Sequence, residues 1–286
     1  MLRFHALSFC SMLAIGLPVV VQDVVAAQDA ASTWENSTEF SYVATAGNAS
    51  SNTLGLKSTL TGSSASGTFK LDVGGIRASS NFTTRSAVGT SDDFVINEET
   101  RTEQSAANYY ARSRYDRTLG GWFGFGGAGW ERNTFSGVDH RFSLVVGAGK
   151  TWVDSDAGLF KTDLGVTYTV QRDVEPDPSK SDEFGGLRAT IEGSRDLGET
   201  TELASTLVLD ENLSDTDNFR FDWIASIAVS LTEGLAFKTS FQMLFDNAPA
   251  LTSVPLIDPN DGPIGQVQIP SQKLDSFLTL SLVIKL

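Results

Sequence analysis

His140 is the residue whose type is best suited to catalysis, since the one other histidine, His5, lies near the N-terminus. Ser136, Asp139 and Ser143 stand close to it in sequence, and a nucleophilic hydrolase combines such residues with histidine. Residues three apart in a strand point to opposite faces, so His140 does not reach Ser143 within one strand. Ser136 falls in a predicted loop and can approach His140. A serine-dependent lipid hydrolase is therefore kept as an alternative, but we expect no catalytic residue.

Metal and cofactor chemistry have little support in the sequence. The acidic stretch 210–217 superficially resembles a calcium loop, but Asp215 occupies the position of the glycine and Phe221 that of the final glutamate. The single cysteine, Cys10, lies in an N-terminal apolar segment, so a chain cleaved after that segment has no thiol and no disulfide. We predict no metal site and no cofactor.

The formal net charge of −14 bears on the partners of the chain. Nucleic acid is not expected, because phosphate binding needs a basic surface. An acidic rim attracts cations or bridges through divalent ions to lipopolysaccharide, and the expected passing species are cations or small solutes. The acidic residues fall mostly in predicted loops: Asp92, Asp93, Glu98, Glu99, Asp173, Glu175, Asp177, Asp215, Asp217, Asp258 and Asp261.

The last strand of the chain organises the fold prediction. Every second residue is aliphatic, and residues two apart share one face of a strand. Strands that are apolar outward and polar inward are typical of outer-membrane barrels, whose terminal strand is recognised by the barrel-assembly machinery. The aliphatic row consists of Leu278, Leu280, Leu282, Ile284 and Leu286.

The N-terminal segment, residues 1–27, has the features of a cleaved signal peptide. Arg3 and His5 precede an apolar stretch at 6–21, and cleavage after Ala26 or Ala27 is equally plausible. No later stretch is apolar for eighteen residues, so a closed barrel is the remaining way to span a membrane. We predict one outer-membrane barrel over 28–286.

Alternating hydrophobicity predicts an all-β, closed, antiparallel, up-and-down transmembrane barrel of about twelve strands. Short turns alternate with longer connections, which places both termini in the periplasm. Residues 79–99 and 247–272 are predicted to be loops. All eight prolines then fall in the signal peptide or in loops, as expected because proline cannot donate to a sheet ladder.

The facings of the predicted strands give two sets of candidate residues. The predicted lumen-lining residues are Glu39, Lys57, Asp72, Arg112, Arg114, Arg141, Lys161, Asp163, Arg188, Arg220, Asp222 and Lys238. The predicted aromatic girdles contain Trp122, Trp130, Tyr168 and Trp223. The strand at 122–131 is rich in glycine, so its facing is ambiguous in the sequence. If Trp122 and Trp130 both point outward, they lie about 26 Å apart along it, which suits the two interfaces of a membrane.

Three stretches resemble a family of salt-induced outer-membrane proteins, which carry an outer-membrane β-barrel domain. They are 41–48 with 54–56, 130–132 with 135–139, and 231–238. The resemblance implies an outer-membrane location and a barrel fold, but no biochemical activity. Gly127 and Gly129 stand where relatives often have basic side chains, and Leu286 replaces a terminal aromatic residue.

The sequence therefore predicts a non-enzymatic envelope protein, either a narrow passive pore or a salt-responsive barrel. The alternatives are a plugged structural barrel, the lipid hydrolase and a soluble β-sandwich or lipocalin-like binder. Barrels of about eight strands are filled by side chains, and those of about sixteen leave a channel. Twelve strands lie between these limits, so the sequence does not decide whether the lumen is open.

Overall fold

The computed structural model describes residues 32–45, 50–89, 94–134, 136–258 and 262–286. The predicted signal peptide lies outside these residues. The described elements are all β-strands: β1 Thr33–Thr45, β2 Ser50–Ser64, β3 Gly67–Gly89, β4 Phe94–Leu119, β5 Trp122–Asn133, β6 Val138–Ser155, β7 Gly158–Asp173, β8 Glu183–Asp196, β9 Thr201–Asn212, β10 Phe219–Thr232, β11 Leu235–Asp246, β12 Leu251–Asp258, β13 Gly262–Pro270 and β14 Leu274–Lys285.

Twelve of these strands form a closed antiparallel barrel in the order β1-β14-β11-β10-β9-β8-β7-β6-β5-β4-β3-β2. Each barrel strand pairs with the barrel strand that follows it in sequence, so the topology is up-and-down. The predicted fold class and the number of barrel strands are confirmed. No helix long and apolar enough to cross a membrane is present in the part of the chain that the structure describes.

The two ends of the barrel differ in their connections. At one end, the turn end, strands are joined by short turns such as 65–66, 120–121 and 233–234. The start of β1 and the end of β14 lie at this same end. The opposite end, the loop end, holds the longer connections 174–182, 213–218 and 247–273.

The alternating pattern places the apolar residues on the outside of the barrel. In β14, Leu278 is 70% exposed and Leu282 42% exposed, whereas Ser281 and Val283 between and beyond them are buried. An apolar surface turned outward is the opposite of what a water-soluble β-domain presents. The outward rows of β6 and β7 are built in the same way, with Phe142, Leu144, Val146, Leu164 and Val166 exposed.

The seam that closes the barrel is short. β1 and β14 pair over four residues, from Ser37 opposite Lys285 to Phe40 opposite Leu282. Asn36 and Leu286 then exchange two backbone hydrogen bonds of 3.0 and 2.9 Å, with each amide donating to the other residue's carbonyl. The final residue of the chain is therefore part of the closure.

The loop predicted at 79–99 is wrong. β3 continues to Gly89 and β4 begins at Phe94, and the two strands pair along this whole length. β5 covers β4 only from Asn108 onward and β2 covers β3 only up to Asn81, so the part of the hairpin paired on neither side extends for about 26 Å. The polar side chains here suggested a loop, but a two-stranded ribbon surrounded by water needs no apolar face toward lipid.

The loop predicted at 247–272 is also wrong in part, because it contains the hairpin of β12 and β13. Pro255, Pro263 and Pro270 lie within these two strands. Each strand of a two-stranded sheet has a free edge, where the missing proline N–H removes no ladder bond. The proline argument therefore held for the barrel strands and failed for this hairpin.

Candidate functional site

The inward-facing side chains enclose a cavity of about 460 Å³. Its lining runs from Thr68 and Asp116 near the turn end to Ser136, Pro249 and Lys273 at the loop end. The cavity therefore follows most of the length of the barrel. We call the interior bounded by these side chains the lumen.

The structure turns all twelve sequence-predicted lumen residues inward. Asp163 lies in the wall and contacts the cavity-lining Arg114 at 2.8 Å. The other eleven line the cavity: Glu39, Lys57, Asp72, Arg112, Arg114, Arg141, Lys161, Arg188, Arg220, Asp222 and Lys238. The lumen is thus lined by charged side chains of both signs, many of which form ion pairs.

One ionic cluster joins the two sides of the closing seam. Lys238 donates to Glu39 at 2.8 Å, and Lys57 lies 3.6 Å from the same carboxylate oxygen. Glu39 and Lys57 are direct cross-strand partners in β1 and β2. Lys238 lies on β11 and reaches Glu39 on β1 past β14, the strand between them. A single carboxylate therefore connects three strands.

A second ionic cluster lies toward the turn end. Arg114 contacts Asp116 at 2.5 Å and Asp163 at 2.8 Å. Lys161 lies 3.7 Å from Asp116 and 3.2 Å from Glu192. Two cations and three carboxylates alternate along β4, β7 and β8, so this part of the lumen is narrowed by paired side chains.

Two inward phenylalanines in this region were missed by the sequence reasoning. Phe123 and Phe125 are 6% and 4% exposed. They pack over glycines of the neighbouring strands, because Phe123 is paired with Gly149 and Phe125 with Gly147. The Arg114 guanidinium lies 3.9 Å from the centre of the Phe125 ring.

The glycine-rich pattern of β5 does not define which of its residues face inward. The glycines of β6 and β7 are the signal that could have identified the inward face, because large inward side chains on β5 need small neighbours. A Cβ on Gly147 would lie 2.8 Å from Phe125 and 2.6 Å from the backbone of Gly165. The aromatic rings therefore occupy space that side chains at these positions would fill. The result is an aromatic and arginine layer that constricts the lumen near the turn end.

An arginine cluster occupies the lumen toward the loop end. Glu131 accepts from Arg141 at 2.6 Å and from Arg112 at 3.2 Å. Gln171 accepts from the Nε of Arg141 at 2.7 Å and from the Nη1 of Arg220 at 3.1 Å. The three arginines therefore share two acceptors, of which only Glu131 is a carboxylate.

Two further pairs flank this cluster. Arg188 forms a two-pronged ion pair with Asp210, with distances of 2.8 and 3.0 Å. Gln242 donates to Asp222 at 2.8 Å. The bidentate geometry is the strongest type of arginine–carboxylate contact, so Arg188 is the direct partner of Asp210.

The segment 247–273, which we call the strap, lies across the loop end. Lys180 from the β7–β8 connection donates to the carbonyls of Ala248 and Pro249 at 2.7 and 2.9 Å. Ala250 is 3% exposed and packs on Gly137, whose φ of 73° and lack of a Cβ permit the contact. Pro249 and Lys273 line the cavity, so the strap narrows the mouth.

Further contacts tie the strap to neighbouring connections. Asn247 donates to the carbonyl of Asp217 at 2.8 Å, and Gln268 donates to Glu175 at 3.3 Å. In the β7–β8 connection the hydroxyl and amide of Ser179 donate to Asp177, which lowers the pKa of this carboxyl. The loop end therefore presents an ordered, acidic rim.

The predicted girdle residues lie on the outside at two heights. Trp122 is exposed at the start of β5 by the turn end, and Tyr168 is exposed toward the loop end. Trp130 and Trp223 also lie toward the loop end and are half-buried. Polar atoms of this second group are satisfied locally, as Trp223 donates to Ser205 at 3.1 Å and Trp130 to His140 at 3.3 Å.

The turn-end girdle contains two tryptophans that the sequence reasoning did not include. Trp34 and Trp152 are 56% and 55% exposed. The ammonium of Lys150 lies 4.2 Å from the ring of Trp152 and 5.5 Å from that of Trp122. Trp152 lies at a register shift between Thr151 and Val153 in the pairing of β6 with β7, and alternating hydrophobicity does not predict such a shift.

The structure separates the residues considered for catalysis. Ser136 donates to Asp275 at 3.1 Å and lines the cavity. His140 accepts from Trp130 on the outer surface, and its Nε2 lies 3.5 Å from Asp139. Ser143 points into the lumen, on the face opposite His140. In the described part of the chain no hydrogen bond joins His140 to a serine, and no group of three or more His, Cys, Asp or Glu is placed to hold a metal.

A family model described as "Protein of unknown function, DUF481" matches residues 38–253. The chain belongs to this family. The match covers most of the barrel, from β1 to the first residues of the strap hairpin. No curated protein has a detectable match to the sequence.

Several solved outer-membrane proteins resemble the chain at low identity. An anion-selective porin from Comamonas acidovorans is 10% identical, with 90% of this chain and 99% of that chain covered and a TM-score of 0.38. OmpT, an outer membrane protein of Vibrio cholerae, is 8% identical over 91% and 100%, with a TM-score of 0.37. The NanC porin is 9% identical over 89% and 100%, with a TM-score of 0.43. These likenesses say nothing about the activity of the DUF481 chain.

Proposed function

We propose that this DUF481 protein is a bacterial outer-membrane barrel that forms a narrow passive pore for ions or small solutes. One observation carries the proposal: exposed apolar residues surround the outside, while charged residues line a cavity that follows most of the length of the barrel. Lipid accepts the first surface and water the second. A protein that served only as a soluble binder would have no use for an apolar outer face.

The pore is expected to be narrow for three structural reasons. Phe123 and Phe125 with Arg114 occupy part of the lumen near the turn end. The arginine cluster narrows it toward the loop end, and the strap lies across the mouth. Ions and solutes of a few heavy atoms are therefore the proposed passing species.

The orientation follows from the connections. Short turns of outer-membrane barrels face the periplasm and long loops face outward, so both termini are proposed to be periplasmic, with residues 1–27 removed on export. The acidic loop end then faces lipopolysaccharide and attracts cations, and the Leu278 to Leu286 row is proposed to meet the barrel-assembly machinery.

A salt-stress role rests on the resemblance of strand ends and turns to salt-induced outer-membrane proteins. It is tested by growth of a deletion strain in raised NaCl.

We propose no catalytic activity, because Ser136 and His140 contact different partners on different sides of the wall.

Conductance in planar lipid bilayers tests the pore. Purified protein is expected to give discrete steps in KCl, smaller than those of wide channels. A plugged structural barrel would give heat-modifiable gel mobility, which indicates a folded barrel, without any conductance steps. That result would overturn the pore and leave the barrel intact.

A further inference from the structure

Arg220 is the lumen cation with the least direct compensation. Its Nη1 donates to the amide oxygen of Gln171 at 3.1 Å, and its guanidinium lies 5.6 Å from the centre of the Phe184 ring. Among the described residues, no carboxylate oxygen lies within 4.0 Å of its nitrogens. Arg220 therefore has no direct ion pair, although the carboxylates of Asp210, Asp246 and Glu131 act on its charge through space.

The acidic residues nearest in register are engaged elsewhere. In the strand register, Arg220 lies directly opposite Asp210 on β9 and Asp246 on β11. Asp210 is held by both prongs of Arg188, and Asp246 accepts from the backbone amide of Ala248 at 2.9 Å. Among the described residues neither carboxylate forms a direct ion pair with Arg220, although both lie on adjacent strands and act on its charge through space.

A second guanidinium converges on the same acceptor. The Nε of Arg141 donates to the Oε1 of Gln171 at 2.7 Å, so two positive charges lie within about 6 Å of each other with only an amide dipole between them. Gln171 is held in this orientation because its Nε2 donates to Asp173 at 2.7 Å. Glu131 is already shared by Arg141 and Arg112.

We propose that Arg220, Arg141 and Gln171 form a binding site for a small oxyanion inside the lumen. An oxyanion with several acceptor oxygens, such as inorganic phosphate, accepts from both guanidinium groups at once and gives Arg220 the direct anionic partner that it lacks. All three elements that carry these residues are barrel strands, so the site is preorganised. Arg141 and Arg220 line the cavity, which provides the route of entry.

The site extends the proposed pore but is tested independently of it. Isothermal titration of purified, folded protein with sodium phosphate in a chloride-free buffer is expected to give saturable heat. Arg220→Gln should weaken phosphate binding by about tenfold or more, because one of the two guanidinium groups is lost. Lys57→Gln is the matched control, since it removes one lumen cation at another height and leaves Glu39 paired with Lys238.

A second variant keeps the test decisive if Arg220→Gln does not fold. Gln171→Glu places a carboxylate between Arg141 and Arg220, so the variant should fold and bind no phosphate. The site is overturned if the parent protein gives no saturable heat, if Arg220→Gln binds phosphate as the parent does, or if Lys57→Gln weakens binding equally. Binding without any conductance in bilayers would overturn the pore and leave the oxyanion site standing.

Discussion

At the scale of single residues, the lumen is shaped by complementary sizes on neighbouring strands. Phe123 and Phe125 of β5 cover Gly147 and Gly149 of β6, and the rings fill the volume that side chains would otherwise occupy. Interiors of this density tolerate little added volume. The glycines of β6 are therefore as important for the constriction as the aromatic rings.

Gly149→Ala tests this packing. The added methyl group would meet the ring of Phe123, the carbonyl of Thr162 at 2.6 Å and the Cβ of Asp163 at 2.7 Å. We expect a loss of about 1–3 kcal/mol in the free energy of unfolding, measured by urea titration in lipid vesicles.

Gly126→Ala is the matched control, because it adds the same methyl group to the outer face of β5, 4.0 Å from its nearest neighbour. It should change stability by less than about 0.5 kcal/mol. Equal losses in the two variants would mean that the phenylalanines do not pack on β6 as described.

At the scale of elements, two features stand out in this barrel: the short seam between β1 and β14, and the strap across the loop end. The seam uses four residue pairs of β1 and β14, reinforced by the Asn36–Leu286 hydrogen bonds and by the salt bridges of Glu39. The strap is held over the loop end by Lys180.

Leu280→Arg tests whether β14 faces lipid. Leu280 is outward and half-exposed in the middle of the strand, and a cation at such a position in a bilayer costs about 2–4 kcal/mol. We expect a loss of this size in unfolding experiments in vesicles.

Thr279→Arg is the control for this change, because Thr279 lines the lumen cavity. It should cost much less than Leu280→Arg. If the two variants lost equal stability, or if the lumen variant lost more, the assignment of the two faces would be wrong.

Lys180→Met tests the strap. The variant loses both hydrogen bonds to the carbonyls of Ala248 and Pro249, so the strap should open more often. We expect larger or noisier conductance steps and faster proteolysis between residues 247 and 273, whereas Lys180→Arg, which retains donors, should resemble the parent. Unchanged conductance and proteolysis would show that Lys180 does not restrain the mouth.

The sequence predicts the barrel elements well and the loop-end elements poorly, for a physical reason. Lipid and lumen impose strict alternation on β10 and β14, so their facings follow from pattern alone. Outside the membrane this constraint disappears. The extensions of β3 and β4 and the hairpin of β12 and β13 are therefore strands without an apolar signature.

For the lumen residues, the sequence predicts the direction of each side chain but not its contacts. The inward direction of Arg220 follows from its place in β10, but its partner Gln171 lies on β7, three strands away. Such contacts depend on side-chain reach across the lumen. The sequence pattern therefore predicts which charged residues face the lumen. It does not predict which of them has no direct carboxylate partner.

At the scale of the whole molecule, the arrangement is a ring of twelve strands that separates two environments. Its outer surface is apolar between two aromatic girdles, and its interior is charged and contains a cavity of about 460 Å³. An acidic rim and a long β3–β4 ribbon lie at the loop end. The proposed functions all depend on this separation between lipid and water.

Cysteine accessibility along β6 tests the separation most directly. Cys10 is the single cysteine in the sequence, so in a Cys10→Ser background one cysteine at a time is placed at Ser143, Leu144, Val145 or Val146 in intact outer-membrane vesicles. Ser143 and Val145 line the cavity, whereas Leu144 and Val146 are exposed on the outer face. The first pair should react with a small water-soluble thiol reagent and the second pair only with a lipid-soluble one. Water-soluble labelling of Leu144 and Val146, with Ser143 and Val145 unreactive, would contradict the account.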